Sequence, residues 1–190
     1  MFQRFFGPDQ ADTRDVADVP STEVEPTTGE TATVRRIVAR LEAMPPEQAR
    51  LAASTAYTLA RAGHADLDIS AEETARIEHE LQVSGLLDEP TAVLVTEMAK
   101  LQAGTVGGTE DYPVTREFRD LASVDQRVAV LRACFAVAAA SGTISAEETA
   151  VLSQIANELS LEPAAVAAVR SEFRDQSSAV HEVRRLAGRG

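Results

Sequence analysis

Ile-Ser-Ala-Glu-Glu-Thr-Ala runs from Ile69 to Ala75, and the same heptapeptide returns from Ile144 to Ala150. Each copy follows a long apolar helical segment and opens another, so the repeat marks one structural unit used twice. Ser70 with Glu73 and Ser145 with Glu148 match the S-x-x-E capping box. In that motif the serine side chain accepts from the third helical amide while the acid reaches back to the serine amide. Ser123 with Gln126 is a third start of the same kind, and Pro46, Pro90 and Pro163 stand where a first-turn proline loses no intrahelical bond.

Outward from these starts the chain reads as helix. From Thr31 onward Ala, Leu, Glu and Arg dominate, Val and Ile recur three and four apart, and there is no strand alternation. The pattern predicts helices over Ala32–Glu42, Pro46–Ala62, Ala71–Val83, Pro90–Ala103, Ala122–Ala140, Ala146–Leu159, Pro163–Arg174 and Ser177–Ala187, with a short ninth over Thr115–Leu121. The expected fold is all-α, a compact bundle of about eight helices built from two similar halves, with repeats around residues 46–103 and 122–175. Gly104–Pro113 (GTVGGTEDYP), with three glycines and a proline, reads as the loop between them. Leu152, Ile155 and Leu159 form one apolar stripe and Val128, Leu131, Phe135 and Ala138 another facing it. Such stripes are too wide for one half alone, so the halves are expected to meet across a pseudo-twofold contact. With few aromatics, the core is filled by Leu, Val, Ile and Ala, which suits close helix packing better than a buried prosthetic group.

Charge and composition narrow the partners. Eighteen Lys and Arg against thirty Asp and Glu give a formal charge of -12, which opposes binding to phosphate backbones. Nucleic acid is therefore not an expected partner. No apolar run approaches the roughly 20 residues that span a bilayer, and a single cysteine fits a reducing compartment, so the expected location is cytoplasmic. Residues 1–30 are rich in Asp, Glu, Thr and Pro and read as a disordered acidic tail ahead of a helical domain over 31–188. At its start, Phe2, Phe5 and Phe6 with Arg4 form an apolar stub that could dock on a membrane surface or a partner groove, or pack on the domain itself.

The residues that could carry chemistry cluster at the first repeat, where Asp66 and Asp68 precede the helix and Glu72 and Glu73 lie in its first turn. Such carboxylates suit a hard divalent cation. A calcium EF-hand starting at Asp66 fails, because Ala71 stands where glycine is needed and Ile77 where a bidentate glutamate is needed. The second copy has Ser141 and Thr143 in place of the leading aspartates but keeps Glu147 and Glu148. The candidate cation ligands are Asp66, Asp68, Glu73 and Glu148, for calcium, manganese or zinc. The competing reading is that these acids only cap helices and complement the helix dipole. Cys134 falls mid-helix in an apolar stretch with no activating base nearby, so it reads as a core residue. His64 could join Asp66 and Asp68 as a ligand but, following Gly63 at a helix end, reads better as a complement to the negative helix terminus, while His79 and His181 lie on charged helix faces and show no ligand spacing.

Ala65-Asp66-Leu67-Asp68-Ile69-Ser70 with Glu73, and again Ala140-Ser141-Gly142-Thr143-Ile144-Ser145 with Glu148, resembles the A-D-G-x-[IV]-S-x-x-E pattern of TerB-like tellurite resistance domains. The resemblance covers roughly Thr31 to Ala187. Leu67 replaces the glycine in copy one and Ser141 the aspartate in copy two, so each copy holds half of the A-D-G core. The resemblance implies an all-helical fold of two similar halves, also used as a module in a membrane-anchored DnaJ-type co-chaperone, with roles in tellurite and chemical stress. It also implies cation binding through the acids and membrane-linked protein complexes. The expected function is thus a non-enzymatic, cytoplasmic stress-response protein that binds a protein partner and a divalent cation through its acidic helix starts. The rivals are a metal-assisted hydrolase using the same carboxylates, and a purely structural acidic helical scaffold.

Overall fold

The structure is a computed structural model and describes residues 28–63, 70–103, 111–140 and 142–177. Eight α-helices occur among these residues: α1 Thr28–Glu42, α2 Pro46–Ala62, α3 Ala71–Val83, α4 Glu89–Gln102, α5 Asp111–Leu121, α6 Val124–Ala139, α7 Ala146–Glu158 and α8 Pro163–Glu172. A single turn of 3-10 helix, Arg174–Gln176, follows α8. The all-α bundle expected from the helix periodicity is thus observed.

Helix α2 is the axis of the bundle. Every residue from Ala52 to Ala62 is buried, and a helix enclosed on all sides must be apolar or satisfy its own polar groups. Alanines supply close approach, and the hydroxyls bond back to the preceding turn: Ser54 Oγ donates to Arg50 O at 2.8 Å, Thr55 Oγ1 to Leu51 O at 2.7 Å and Thr58 Oγ1 to Ser54 O at 2.8 Å. Helix α6 is its counterpart, buried from Ala129 to Ala138 except at Arg132. The single facing stripe expected on α6 is therefore too narrow a description, since this helix buries nearly its whole circumference.

The two halves cross over each other. Helices α2 and α6 pack together, α3 packs on α6, and α7 packs on α2. Each half thus lends the helix that opens its repeat to the other half's central helix. The duplication extends to the helix ends: α3 ends at Val83 and α7 at Glu158, and two residues later Gly85 (φ 66°) and Ser160 (φ 52°) both take left-handed backbone. The carbonyls of Leu81 and Ala156, in the same register, accept from Leu87 N–H at 3.2 Å and Leu161 N–H at 3.3 Å. The first turn holds one more residue before its closing donor, so the linker to α4 is longer than that to α8.

Several boundaries differ from expectation. α1 starts at Thr28, so the last residues assigned to the acidic tail belong to a helix. α5 starts at Asp111 rather than Thr115 and takes in Tyr112 and Pro113, which had been placed in the loop. A proline in the first turn gives up no intrahelical bond there, so it opens this helix instead of preceding it. Ser177 does not begin a helix; it is extended and pairs with Ile144 in an isolated parallel bridge. Residues 178–187 of the helix predicted there, like residues 1–27 with Phe2, Phe5 and Phe6, lie outside the described residues.

Candidate functional site

Both copies of the repeated heptapeptide fold as complete capping boxes. Ser70 N–H donates to Glu73 Oε2 at 2.9 Å, and Glu73 N–H donates back to Ser70 Oγ at 3.3 Å. In the second copy Ser145 N–H donates to Glu148 Oε2 at 2.7 Å, and Glu148 N–H to Ser145 Oγ at 3.1 Å. Ser70's side-chain and backbone hydrogen bonds hold the Glu73 carboxyl below the usual carboxylate range, so it is ionised at neutral pH. Glu148 is buried, because the second opening is tied down: Ile144 N–H donates to Gln176 O at 2.7 Å, drawing the chain after α8 over this helix start. Of the candidate cation ligands, Glu73 and Glu148 thus each engage a carboxylate oxygen in their own cap. Asp66 and Asp68 lie outside the described residues. Among the described residues no group of three or more His, Cys, Asp or Glu is arranged to hold a metal ion.

A second polar feature, absent from the sequence reading, sits where the halves cross. Arg61, one residue from the end of α2, reaches the last residue of α7. Its Nη1 donates to Glu158 Oε2 at 2.6 Å and its Nη2 to Glu158 Oε1 at 3.3 Å, a two-pronged pair whose side chains are only 3% and 7% exposed. Nη1 also donates to Thr115 Oγ1 on α5 at 2.5 Å, and Gln154 Nε2 donates to Glu158 Oε1 at 2.9 Å. Burial alone would raise the Glu158 carboxyl, but the hydrogen bonds from Arg61 and Gln154 and the guanidinium charge bring it below its ordinary value. The sequence carried only a faint signal for this pair: one arginine near the end of the otherwise uncharged stretch Leu51–Ala62.

The third feature is a groove between α7 and α8, about 520 Å³ in volume. Phe135 and Phe173, with ring centroids 5.5 Å apart, lie at its floor. Leu161 and Val166 line its walls, and exposed Arg170 and Arg174 stand at its rim. Its origin is the composition of α8. Between its first proline and Arg170 this helix offers only Ala and Val, and only Val169 is buried. α8 is held away from α7 by contacts to the other side: Phe173 stacks on Phe135 of α6, Arg132 Nε donates to Glu172 Oε2 at 2.8 Å, and the Arg76 guanidinium of α3 lies 5.2 Å from the Phe173 ring centre.

Cys134, read from sequence as a core residue, is buried, with its Sγ 3.7 Å from Thr58 O. Burial pushes its thiol up to about 12, which removes it as a nucleophile at neutral pH.

The family model described as tellurite resistance protein TerB matches residues 52–171, from the buried part of α2 to the end of α8. The chain belongs to the TerB family. The match takes in both capped openings, the Arg61–Glu158 pair and most of the groove lining. No curated protein and no solved structure matches the chain. Among the described residues no helix is long and apolar enough to cross a membrane.

Proposed function

We propose that this TerB-family chain is a non-enzymatic, cytoplasmic stress-response protein that works by binding, and that the groove between α7 and α8 is where it binds. The observation that carries this reading is the contrast between equivalent helix pairs: α3 and α4 close on each other, whereas α7 and α8 stand apart over an aromatic floor. The partner that fits is a segment with apolar anchors beside carboxylates, the anchors entering over Phe135 and Phe173 and the carboxylates meeting Arg170 and Arg174. The residues most reactive on paper support a binding role. Glu73 and Glu148 close caps, Glu158 is paired, and the Cys134 thiol is buried.

The test is complementation. In cells made tellurite-sensitive by loss of this chain, the wild-type sequence restores growth on tellurite, and Val166→Glu, which places a charge on the groove wall, does not, although the purified variant keeps its helical circular dichroism. Full rescue by Val166→Glu would remove the groove from the function; no rescue by wild type would remove the stress role.

A cation at the first opening is a second proposal, motivated by the sequence, in which Asp66 and Asp68 precede the helix whose first turn holds the ionised Glu73. It is tested by thermal unfolding with chelator and then with calcium, manganese or zinc.

A further inference from the structure

We propose that the groove between α7 and α8 is occupied by this chain's own segment Met1–Gly7. The inference rests on the reading of that groove as a binding surface, and it commits to one occupant on three grounds.

The first is anchor chemistry. Phe2, Phe5 and Phe6 stand at positions i, i+3 and i+4, so a single helical turn presents all three rings on one side. The groove offers the matching surface, with two aromatic rings at its floor, half-buried Leu161 and Val166 on its walls, and a volume in the range of ordinary binding pockets. Aromatic rings entering there gain offset or edge contacts with Phe135 and Phe173 beyond the area they bury.

The second is charge. Between Pro8 and Thr27 the chain carries six carboxylates, Asp9, Asp12, Asp15, Asp18, Glu23 and Glu25, against one arginine, Arg14. The groove rim carries the opposite sign in Arg170 and Arg174, both exposed. Among the described residues Arg170 Nη2 donates to the neutral Ser153 Oγ at 3.1 Å, across the groove mouth, and to no carboxylate. In a protein with a formal charge of -12, a cationic rim beside an apolar floor is the place an acidic tether is drawn to.

The third is reach. The residues from Pro8 to Thr27 span up to about 70 Å when extended, against a domain of this size about 40 Å across, so every face of the bundle is accessible from Thr28. Tethering also makes the contact intramolecular, so modest affinity suffices for occupancy.

The experiment uses the full chain. Gln3→Cys places one reactive thiol among the phenylalanines, and the buried Cys134, with its thiol at about 12, stays unlabelled. With a nitroxide on that thiol and nitrogen-15 on the backbone, the amide signals of Ser153, Val166, Ala167 and Arg170 lose most of their intensity. Thr74 and Lys100, on the equivalent face of the first half, keep theirs. Adding Phe5→Ala and Phe6→Ala restores the groove signals, with the remaining spectrum unchanged. Four outcomes overturn the proposal: no selective loss at the groove; loss that survives the phenylalanine substitutions; loss that appears only between labelled and isotope-bearing molecules in a mixture, which would make a second copy the occupant; or a label that reports only on added anionic lipid vesicles. None of these bears on the rescue by wild type and Val166→Glu, so the binding reading stands or falls separately.

Discussion

The pair α3 and α4 in the first half and the pair α7 and α8 in the second descend from one pattern and end in different states. In the first, α4 buries Ala92, Leu94, Val95, Met98 and Ala99 on both α2 and α3, and Lys100 Nζ donates to Thr74 Oγ1 at 2.6 Å to close the outer edge. In the second, Thr149, which stands where Thr74 stands in the repeat, lines an open groove. The openings of the two units are identical in sequence over seven residues, and their helix ends share a left-handed turn although the residues there differ. Their divergence comes from the third helix of each unit, where large apolar side chains in α4 are replaced by alanines in α8. A duplicated fold thus keeps its punctuation and varies its filling, and the half with less filling is where a binding surface arises.

The largest test of this comparison is at the crossing of the halves. In repeat register Arg61 corresponds to Ala136 and Glu158 to Val83, so the α2–α7 crossing carries a buried ion pair where, among the described residues, the α3–α6 crossing has only the part-exposed Arg132–Glu80 contact at 4.0 Å. Arg61→Met leaves the Glu158 carboxylate buried without its cation, and urea unfolding should show a loss of about 3–5 kcal/mol. Arg61→Met with Glu158→Leu should recover most of it, because two apolar side chains do not carry the desolvation cost of two charges. The folded Glu158 carboxyl is depressed, so its contribution is present above its ordinary value of about 4.3 and is lost as pH falls through the folded value. A loss below about 1 kcal/mol for Arg61→Met would mean that apolar packing, not the ion pair, holds the α2–α7 crossing.

The two openings differ next. If Asp66 and Asp68 with Glu73 hold a divalent cation, a hundredfold excess over its dissociation constant adds about 2.7 kcal/mol, a rise of roughly 5–10 °C in Tm. Asp66→Asn and Glu73→Gln should each lose the rise, while Gln at the capping position still closes the box. No rise with calcium, manganese or zinc would leave the first opening a cap like the second. The caps themselves should separate the halves by a smaller amount. Ser145→Ala should cost about 1–2 kcal/mol, since it loosens a buried Glu148, and Ser70→Ala about 0.5–1 kcal/mol at a more open start. Equal costs in thermal unfolding would show that burial of Glu148 adds nothing to the second cap.

Much of the frame was legible before any coordinates. The three capping boxes at Ser70, Ser123 and Ser145 form as the spacing requires, because a cap is a local interaction that four consecutive residues suffice to specify. The helix type of nearly every segment followed for the same reason. What the sequence withheld was non-local. Arg61 and Glu158 are far apart in the chain and meet only because α7 crosses onto α2, and no periodicity encodes that meeting. The groove was equally hidden, since it is produced by what α8 fails to fill once Phe173 and Glu172 anchor it to α6. Pro113 misled for a local reason: a proline marks a loop and a first helical turn equally well.

The smallest effect compares the two halves at a single backbone position. Gly85 and Ser160 both adopt left-handed backbone two residues after their helices end, one with the residue suited to it and one without. Nothing lies within 4 Å of where a Cβ on Gly85 would sit, so Gly85→Ala meets no clash and carries only the backbone cost, about 1 kcal/mol in unfolding free energy. Ser160→Gly relieves a cost of similar size but frees the unfolded chain by about 0.4–1 kcal/mol, so its net change should stay within about 0.5 kcal/mol of zero. A gain well above that would show Ser160 to be strained beyond its dihedral angle. The open half would then carry a local cost that its closed counterpart avoids, at the turn that sets α8 apart from α7.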